Sequence, residues 1–303
     1  MNILMPCKLR SDALRAAKEL LEAHGHRCTL YAWESAAKLR ERVRTGSFDT
    51  LLCAESAVLP RSGLPLRTVF LAPDFFCAHK FPPTGVTRCL IAHEDLSFDF
   101  ITHGVRDASV RVCGVPLSSS LRSVGSRGQS CTSLGLREDR PVFLVVGDTL
   151  SLGVLKSFVS SVQTFCREAQ ILLLGGGAVR RKSWMSAFSE NRNVFVSEAK
   201  SAFSLGLGAA DAVFTPAFSP FVCAAARQEK PLALLHSAVP RTRKNADFLD
   251  SHGVAFHAQS TADGVSYICR LLDSDRLRAN MLHAQQRCIL PDAEARFLCA
   301  AQE

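Results

Sequence analysis

The sequence has no CxxC or CxxH pair, although 12 of its 303 residues are cysteines. Structural zinc sites and dithiol redox motifs place their residues at such short spacings, so neither is predicted and we expect no metal site. Most of the cysteines stand among apolar residues, as Cys53 does between Leu52 and Ala54. That setting is typical of small buried side chains in a reducing compartment.

Long apolar runs are missing as well. The apolar start of the chain is too short for the core of a signal peptide, and the basic Lys8 and Arg10 follow it rather than precede it. The longest apolar stretches, at 142–146 and 171–179, are far shorter than a membrane span. We therefore expect a cytoplasmic protein.

Tyrosine and tryptophan are scarce, with 2 of each against 19 phenylalanines. The phenylalanines stand mostly in apolar runs and are not interleaved with arginine, which argues against a nucleic-acid partner. The formal net charge is +8, from 36 Lys and Arg against 28 Asp and Glu. This excess suits a smaller anionic partner, such as a nucleotide or a phospholipid surface.

Short apolar strands alternate with amphipathic helices along both halves of the chain. Ile3 to Met5 predicts a strand and Asp12 to His24 a helix, and the run from Pro141 to Val146 opens a second series of strand and helix units. Such alternation is typical of a parallel sheet covered on both faces. The sequence therefore predicts an α/β protein with two Rossmann-like, doubly wound domains.

Domain boundaries follow from composition. Residues 118–133 contain seven serines and no periodic apolar pattern, which predicts a flexible linker. We place the first domain at 1–120, the linker at 121–134, the second domain at 135–290, and a C-terminal tail at 291–303 that packs back on the first domain. Ligands of open α/β sheets bind outside the carboxyl ends of the strands, so we expect the two domains to face a cleft.

Three loops carry residues suited to chemistry. Gly147-Asp148-Thr149, between a strand and a helix, either offers backbone N–H groups to a phosphate or forms a plain tight turn. Asp74 and His79 follow a strand directly, where a carboxylate and an imidazole can deprotonate a hydroxyl, or simply satisfy each other. The basic residues Arg241, Arg243 and Lys244, ahead of a helix expected near Asn245, either hold a phosphate or lipid head group or form a solvated charge run.

Six stretches, in order over nearly the whole chain, resemble the family of monogalactosyldiacylglycerol synthases and processive diacylglycerol glucosyltransferases, with a more distant likeness to MurG-type transferases. They are DFFCAHK at 74–80, CGVPL at 113–117, LGL at 134–136, PVFLVVG at 141–147, AADAVFT at 209–215 and NADFL at 245–249. The resemblance implies a GT-B fold. It also implies an inverting transfer of a hexose from a UDP-sugar to a lipid or cell-envelope acceptor of the diacylglycerol type, on the inner face of the membrane.

The resemblance also implies roles for individual residues, with the UDP-sugar as a substrate and no further cofactor. The residues that it implies for donor binding are Gly147, Asp148, Thr149, Phe203, Ser219 and Asn245. Among these, Phe203 would pack against the uracil. Asp74 or His79 is the base. Contacts to phosphate or to a lipid head group fall to Arg10, Arg241, Arg243 and Lys244.

The sequence departs from the family at three loops that the chemistry uses, one of them around Arg243, where the family often has acidic or amide residues that contact the sugar. The GGGH opening of the family is replaced by Lys8-Leu9-Arg10, and Ala224 stands where the family has the glutamate that holds the donor ribose. Loss of such a hydrogen bond weakens donor binding by about 1.5 to 3 kcal/mol. A non-catalytic relative that binds a nucleotide-sugar, an anionic lipid or a protein partner is therefore the alternative, and an epimerase-like use of the same site is a third interpretation.

Overall fold

The computed structural model describes residues 1–8, 11–58, 64–77, 85–197 and 199–303. The chain forms two compact units, the first comprising 1–119 with 290–303 and the second comprising 120–289. The described residues of each unit form a six-stranded sheet. Within the described part of the chain, no helix combines the length and the apolar character needed to cross a membrane.

The sheet of the first unit is parallel throughout, with the order β2-β1-β3-β4-β5-β6. Its strands are β1 (Asn2–Cys7), β2 (Arg27–Ala32), β3 (Thr50–Cys53), β4 (Arg67–Ala72), β5 (Arg88–Ile91) and β6 (Val110–Val112). Its helices in this part of the chain are α1 (Asp12–Ala23), α2 (Ala36–Thr45) and α3 (Ser97–Thr102), with single turns of 3₁₀ helix at Ser56–Val58, Glu94–Leu96 and Asp107–Ser109. Ser11 caps α1 by accepting the Leu14 N–H at 3.3 Å, and Leu14 and Leu21 bury the apolar face of that helix.

The sheet of the second unit is also parallel, with the order β12-β11-β10-β7-β8-β9. Its strands are β7 (Val142–Val146), β8 (Gln170–Leu174), β9 (Val194–Ser197), β10 (Ala212–Thr215), β11 (Leu232–Leu234) and β12 (Phe256–His257). This is the strand order of dinucleotide-binding sheets. Every residue of β7 and β8 is buried, which explains why both strands read as unbroken apolar runs.

After β6, the described part of the chain forms further helices before it returns to the first unit. They are α4 (Ser119–Arg122), α5 (Arg127–Leu134), α6 (Leu152–Phe165), α7 (Ala178–Ala187), α8 (Ala199–Ala209), α9 (Ser219–Arg227), α10 (Pro240–Ser251), α11 (Thr261–Leu272) and α12 (Asp275–Cys288). In the core, the ring centroid of Phe214 lies 5.4 Å from that of Phe143 and 4.7 Å from that of Phe158, which it meets edge to face. These rings hold α6 against the sheet.

The serine-rich segment is not a linker without structure, and this prediction was wrong. Residues 127–134 form α5, which packs on α8, and the Arg127 guanidinium donates to the carbonyl of Ala209 and the carboxylate of Asp211, both at 2.9 Å. A Cβ at Gly208 would lie 2.8 Å from the Gly125 carbonyl oxygen and closer still to Ser130 Oγ. The small residues that indicated flexibility therefore serve close helix packing.

The last helix, α13 (Ala293–Gln302), belongs to the first unit. Phe297 is fully buried in the core that also contains Leu14 and Leu52. The Arg67 guanidinium donates to the Ala301 carbonyl at 2.7 Å. The end of the chain thus completes the core of the unit in which the chain begins.

Candidate functional site

The strand order of the second sheet reverses between β7 and β10, and three loops follow the carboxyl ends of β7, β10 and β11 there. We define the switch-point site as residues 147–151, 216–219 and 235–241. In open α/β sheets, ligands bind outside the carboxyl ends of the strands at such a reversal. The geometry of these loops therefore decides what the second unit can bind.

The β7–α6 loop requires its glycine. A Cβ at Gly147 would lie 2.8 Å from the indole of Trp184, and the Gly147 N–H donates to the Leu174 carbonyl at 2.7 Å. The Asp148 carboxylate accepts the Gly176 N–H at 2.6 Å, and the Arg180 guanidinium donates to the Asp148 carbonyl. Asp148, which we expected to bind the donor, thus fixes the neighbouring glycine loop with its side chain.

A hydroxyl pair connects two of the three loops. Thr149 Oγ1 and Ser237 Oγ lie 2.9 Å apart, and Ser237 Oγ also accepts the Val239 N–H at 3.3 Å. Ser237 is buried, so this contact holds the loop after β11 to the loop after β7. No sequence motif marks Ser237, which is recognised only through its contact with Thr149.

A buried amide sets the shape of the third loop. Asn245 is 0% exposed, and its Nδ2 donates to the Ala217 carbonyl at 2.9 Å and to Ser219 Oγ at 3.2 Å. Ser219 is buried as well. Both residues were predicted to contact a donor, but their side chains instead bind each other and position the loop after β10.

Phe203 does not belong to the site. Its side chain is 1% exposed and its ring centroid lies 4.9 Å from that of Phe221. An apolar ring at this depth is a core residue with no face left for a nucleotide base. The prediction that Phe203 packs against the uracil is therefore wrong.

Three helices begin at the switch-point site, and their first turns carry no acidic residue: α6, α9 and α10. Ser151 caps α6 by accepting the Val154 N–H at 3.3 Å. Among the described residues, no side chain caps α9 or α10, whose capping positions are held by Phe218 and Val239. Uncapped helix starts present N–H groups and partial positive charge, which suits an anion.

The basic cluster lies inside α10, not ahead of it. The helix begins at Pro240 instead of near Asn245, so Arg241, Arg243 and Lys244 all fall at its positive end. The Arg241 guanidinium lies 5.3 Å from the centroid of the Phe218 ring, which brings it to the loop after β10. All three cations are exposed. Pro240 was the sequence signal for this helix start, because proline favours the first helical position.

Comparisons with known proteins give weak sequence matches and a fold match over nearly the whole chain. No protein-family model matches the chain. A processive diacylglycerol beta-glucosyltransferase of Staphylococcus carnosus is 21% identical over 227 residues, which are 74% of this chain and 57% of that protein. The chain thus spans less than two thirds of the length of this relative.

Solved structures match over almost the whole chain. The S. aureus MnaA–UDP co-structure has a TM-score of 0.69 at 11% identity, covering 98% of this chain and 95% of that one. Anabaena Alr3699/HepE in complex with UDP-glucose has a TM-score of 0.65 at 13% identity, covering 100% and 98%. The chain shares the two-sheet fold of these structures and is similar in sequence, at low identity, to processive diacylglycerol beta-glucosyltransferases. The predicted α/β fold class and family resemblance are therefore confirmed.

The structure brings together only part of the predicted site of this GT-B chain. Gly147, Thr149 and Arg241 meet at the switch-point site, supported by Ser219 and Asn245. Asp74 lies in the first unit, half-buried, two residues after β4 and in contact with other groups of the protein. Arg10 and His79 lie outside the described residues.

A groove beside the switch-point site was not predicted. It has a volume of about 590 Å³ and lies between the start of α6 and helix α7. Leu150 and Leu152 line one side, and Val179, Arg180 and Trp184 the other. Val179 is 86% exposed, so the GT-B chain presents an apolar surface with a cation next to its candidate anion site. No sequence pattern shows that Val179 is exposed or that α7 lies across from the start of α6, so the groove is visible only in the folded unit.

Proposed function

We propose that the chain is a glycosyltransferase that binds a UDP-sugar at the switch-point site and transfers the hexose to a lipid acceptor of the diacylglycerol type. One observation carries the proposal. The first turn of α10 places Arg241, Arg243 and Lys244 at the positive end of an uncapped helix, beside the starts of α6 and α9. A cation at a helix N-terminus is unfavourable by about 0.3 to 1 kcal/mol, and a bound diphosphate relieves this.

Each part of the site has a role in this proposal. The leading N–H groups of α6 and the guanidinium of Arg241 bind the diphosphate, while Asn245 and Ser219 hold the loop between them in place. Gly147 allows the β7–α6 loop to pack closely on Trp184. Arg243 and Lys244 lie farther along α10 and bind the outer phosphate or a lipid head group.

The reaction we propose is a single displacement with inversion. A base takes the proton of the acceptor hydroxyl, the hydroxyl oxygen attacks the anomeric carbon, and the UDP diphosphate leaves with the bonding electron pair. Helix N-termini and cations stabilise the charge that develops on the leaving diphosphate. We assign the base to Asp74, with His79 as the other candidate, and a supporting cation to Arg10. A lipid acceptor also implies peripheral contact with the inner face of a membrane.

A second function, binding without turnover, is favoured by one feature of the structure. Ala224, at the position where the family resemblance expects the ribose-binding glutamate, is buried and cannot donate or accept through its side chain. This weakens the hold on the donor ribose. The diphosphate contacts alone then retain a nucleotide-sugar without positioning it for transfer.

Two measurements separate these functions. Calorimetric titration with UDP, UDP-glucose, UDP-galactose and UDP-N-acetylglucosamine should show binding that Arg241→Ala weakens about tenfold or more. Arg276→Ala is the matched control, because Arg276 is an exposed arginine near the start of α12, outside the switch-point site. Equal affinities in the two variants, or no binding in the unchanged protein, would refute the proposed donor site.

Turnover is measured with radiolabelled UDP-sugars and diacylglycerol in mixed vesicles. Transfer that Asp74→Asn abolishes while UDP binding is retained supports the glycosyltransferase. Binding without transfer or release of free sugar supports the non-catalytic alternative. Conversion of the sugar to its epimer, seen by product chromatography, would support the third interpretation instead.

A further inference from the structure

Two cysteines that are 103 positions apart in the sequence meet between α6 and α11. Cys166 is the residue that follows α6, and Cys269 lies in the last turn of α11. Their side chains are hydrogen-bonded to each other, and both are free thiols with partial exposure. The pair lies at the far end of α6 from the switch-point site and plays no part in the proposed function.

The packing of the two helices holds this pair together. Ser157 Oγ lies 2.7 Å from Thr261 Oγ1, and Ser161 Oγ lies 3.4 Å from the same atom, so the start of α11 is attached to the middle of α6. The two thiols form a second contact between α6 and α11, nearer the C-terminal end of each helix. Cys166 itself has non-helical dihedral angles, φ −149° and ψ 70°, so its side chain can adjust without distorting α6.

The hydrogen bond makes the two thiols chemically unequal. The Cys269 S–H donates to Cys166 and lowers the pKa of that thiol to about 7, while burial and the charges of Asp273 and Glu168 act in the opposite direction. The same bond raises the pKa of Cys269. Near neutral pH Cys166 is therefore readily ionised while Cys269 stays protonated, and a thiolate is the form that an oxidant attacks first.

The other cysteines lack this combination of partner and access. Eight are buried: Cys28, Cys53, Cys77, Cys89, Cys113, Cys131, Cys223 and Cys288. Burial raises the pKa of Cys53, Cys89 and Cys113, which keeps these thiols protonated. Cys7 is half-buried, its thiol donates to the Tyr31 carbonyl at 3.9 Å, and burial raises its pKa. Cys299 is exposed and contacts a carboxylate oxygen of Glu303 at 3.7 Å.

We infer that Cys166 and Cys269 are a peroxide-sensitive pair that closes to a disulfide between α6 and α11. The Cys166 thiolate attacks hydrogen peroxide, giving a sulfenic acid and hydroxide. The Cys269 sulfur then attacks the sulfenic sulfur, the S–S bond forms, and the hydroxyl leaves as water. In total, two thiols and one hydrogen peroxide give one disulfide and two waters, and a dithiol reductant reverses the change.

Peptide mapping of the unchanged protein tests the inference directly. Trypsin releases Cys166 in the peptide 157–167 and Cys269 in the peptide 245–270, each with no other cysteine. After brief treatment with hydrogen peroxide at pH 7.5 and alkylation of the remaining thiols, we expect these two peptides joined, about 2 Da lighter than their sum. Dithiothreitol should separate them, and the melting temperature of the oxidised protein should fall on reduction.

Variants separate the pair from nonspecific oxidation. Cys299→Ser, which removes the exposed cysteine, should leave the joined peptides unchanged. Cys269→Ser should leave the sulfenic acid on Cys166, where dimedone traps it. Separate peptides in oxidised protein, or oxidation of Cys299 before Cys166, would overturn the inference, and this readout from the unchanged protein does not depend on how the variants fold.

Discussion

Reversing the charge of Arg241 should affect ligand binding and folding stability differently. Arg241 is the second residue of α10, at the positive end of that helix. A glutamate there changes an unfavourable interaction of about 0.3 to 1 kcal/mol into a favourable one of similar size, a gain of about 0.6 to 2 kcal/mol. The lost contact with the Phe218 ring removes about 0.5 to 1 kcal/mol.

The net effect on the free protein is therefore small. We expect the free energy of unfolding of Arg241→Glu to change by about −0.4 to +1.5 kcal/mol relative to the unchanged protein. At about 2 to 4 °C per kcal/mol for a chain of this size, the melting temperature moves by a few degrees at most. UDP affinity should fall much further, because a charge-assisted hydrogen bond is worth about 1.5 to 3 kcal/mol, or about tenfold to 150-fold.

The control for this prediction is Arg276→Glu. Arg276 is the second residue of α12, so it has the same position relative to a helix start but lies outside the switch-point site. Urea unfolding at low ionic strength and calorimetric titration with UDP measure the two quantities for both variants. Equal UDP affinity in Arg241→Glu and Arg276→Glu would show that the first turn of α10 does not contact the diphosphate. A loss of more than about 2 kcal/mol in stability for Arg241→Glu would refute the electrostatic reasoning.

Three further predictions test the supporting structure. Asn245→Ala removes the amide that donates to the Ala217 carbonyl, so it should lower the free energy of unfolding by about 1 to 3 kcal/mol and also lower the affinity for UDP. An unchanged free energy of unfolding in urea would contradict this. Gly208→Ala should lower the free energy of unfolding in urea by about 1 to 3 kcal/mol, because the new Cβ would collide with Gly125 and Ser130. Gly177→Ala is the control, because a Cβ at Gly177 meets no atom within 4 Å and should leave the free energy of unfolding unchanged. Alkylation of Cys166, followed in the peptide 157–167, should slow as the pH falls through about 7, and a midpoint near 8.5 would contradict the lowered pKa.

The sheets were predictable because their strands are buried on both faces. Buried parallel strands select unbroken apolar residues, so β7 and β8 could be recognised without their partners. The serine-rich segment was misinterpreted because serine and glycine serve flexible loops and close helix contacts equally well. Only the approach of α5 to α8 decides between these, and that approach is a property of the folded unit.

The candidate site could be located from sequence more reliably than its residues could be assigned roles. Gly147 and Thr149 were found because a loop between a strand and a helix is a local pattern. Asn245 and Phe203 were misassigned because a motif shows that a residue type is needed and does not show where its side chain points. Thr149 and Ser237 are 88 positions apart, and their contact follows from strand order, which single-strand patterns do not contain.

The charges at the start of α10 also make this helix start different from an ordinary one. Stability alone favours a capping side chain and an acidic first turn, because both satisfy the leading N–H groups. The chain has Val239 at the cap position and a basic first turn instead, beside a second helix start, at Phe218, that no described side chain caps. A local arrangement that opposes folding persists where the surrounding structure is stable enough to hold it, and such arrangements concentrate at functional sites. The fully buried Asn245, which fixes the neighbouring loop, supplies that support here. Charge and support together therefore favour an anionic ligand at these helix ends.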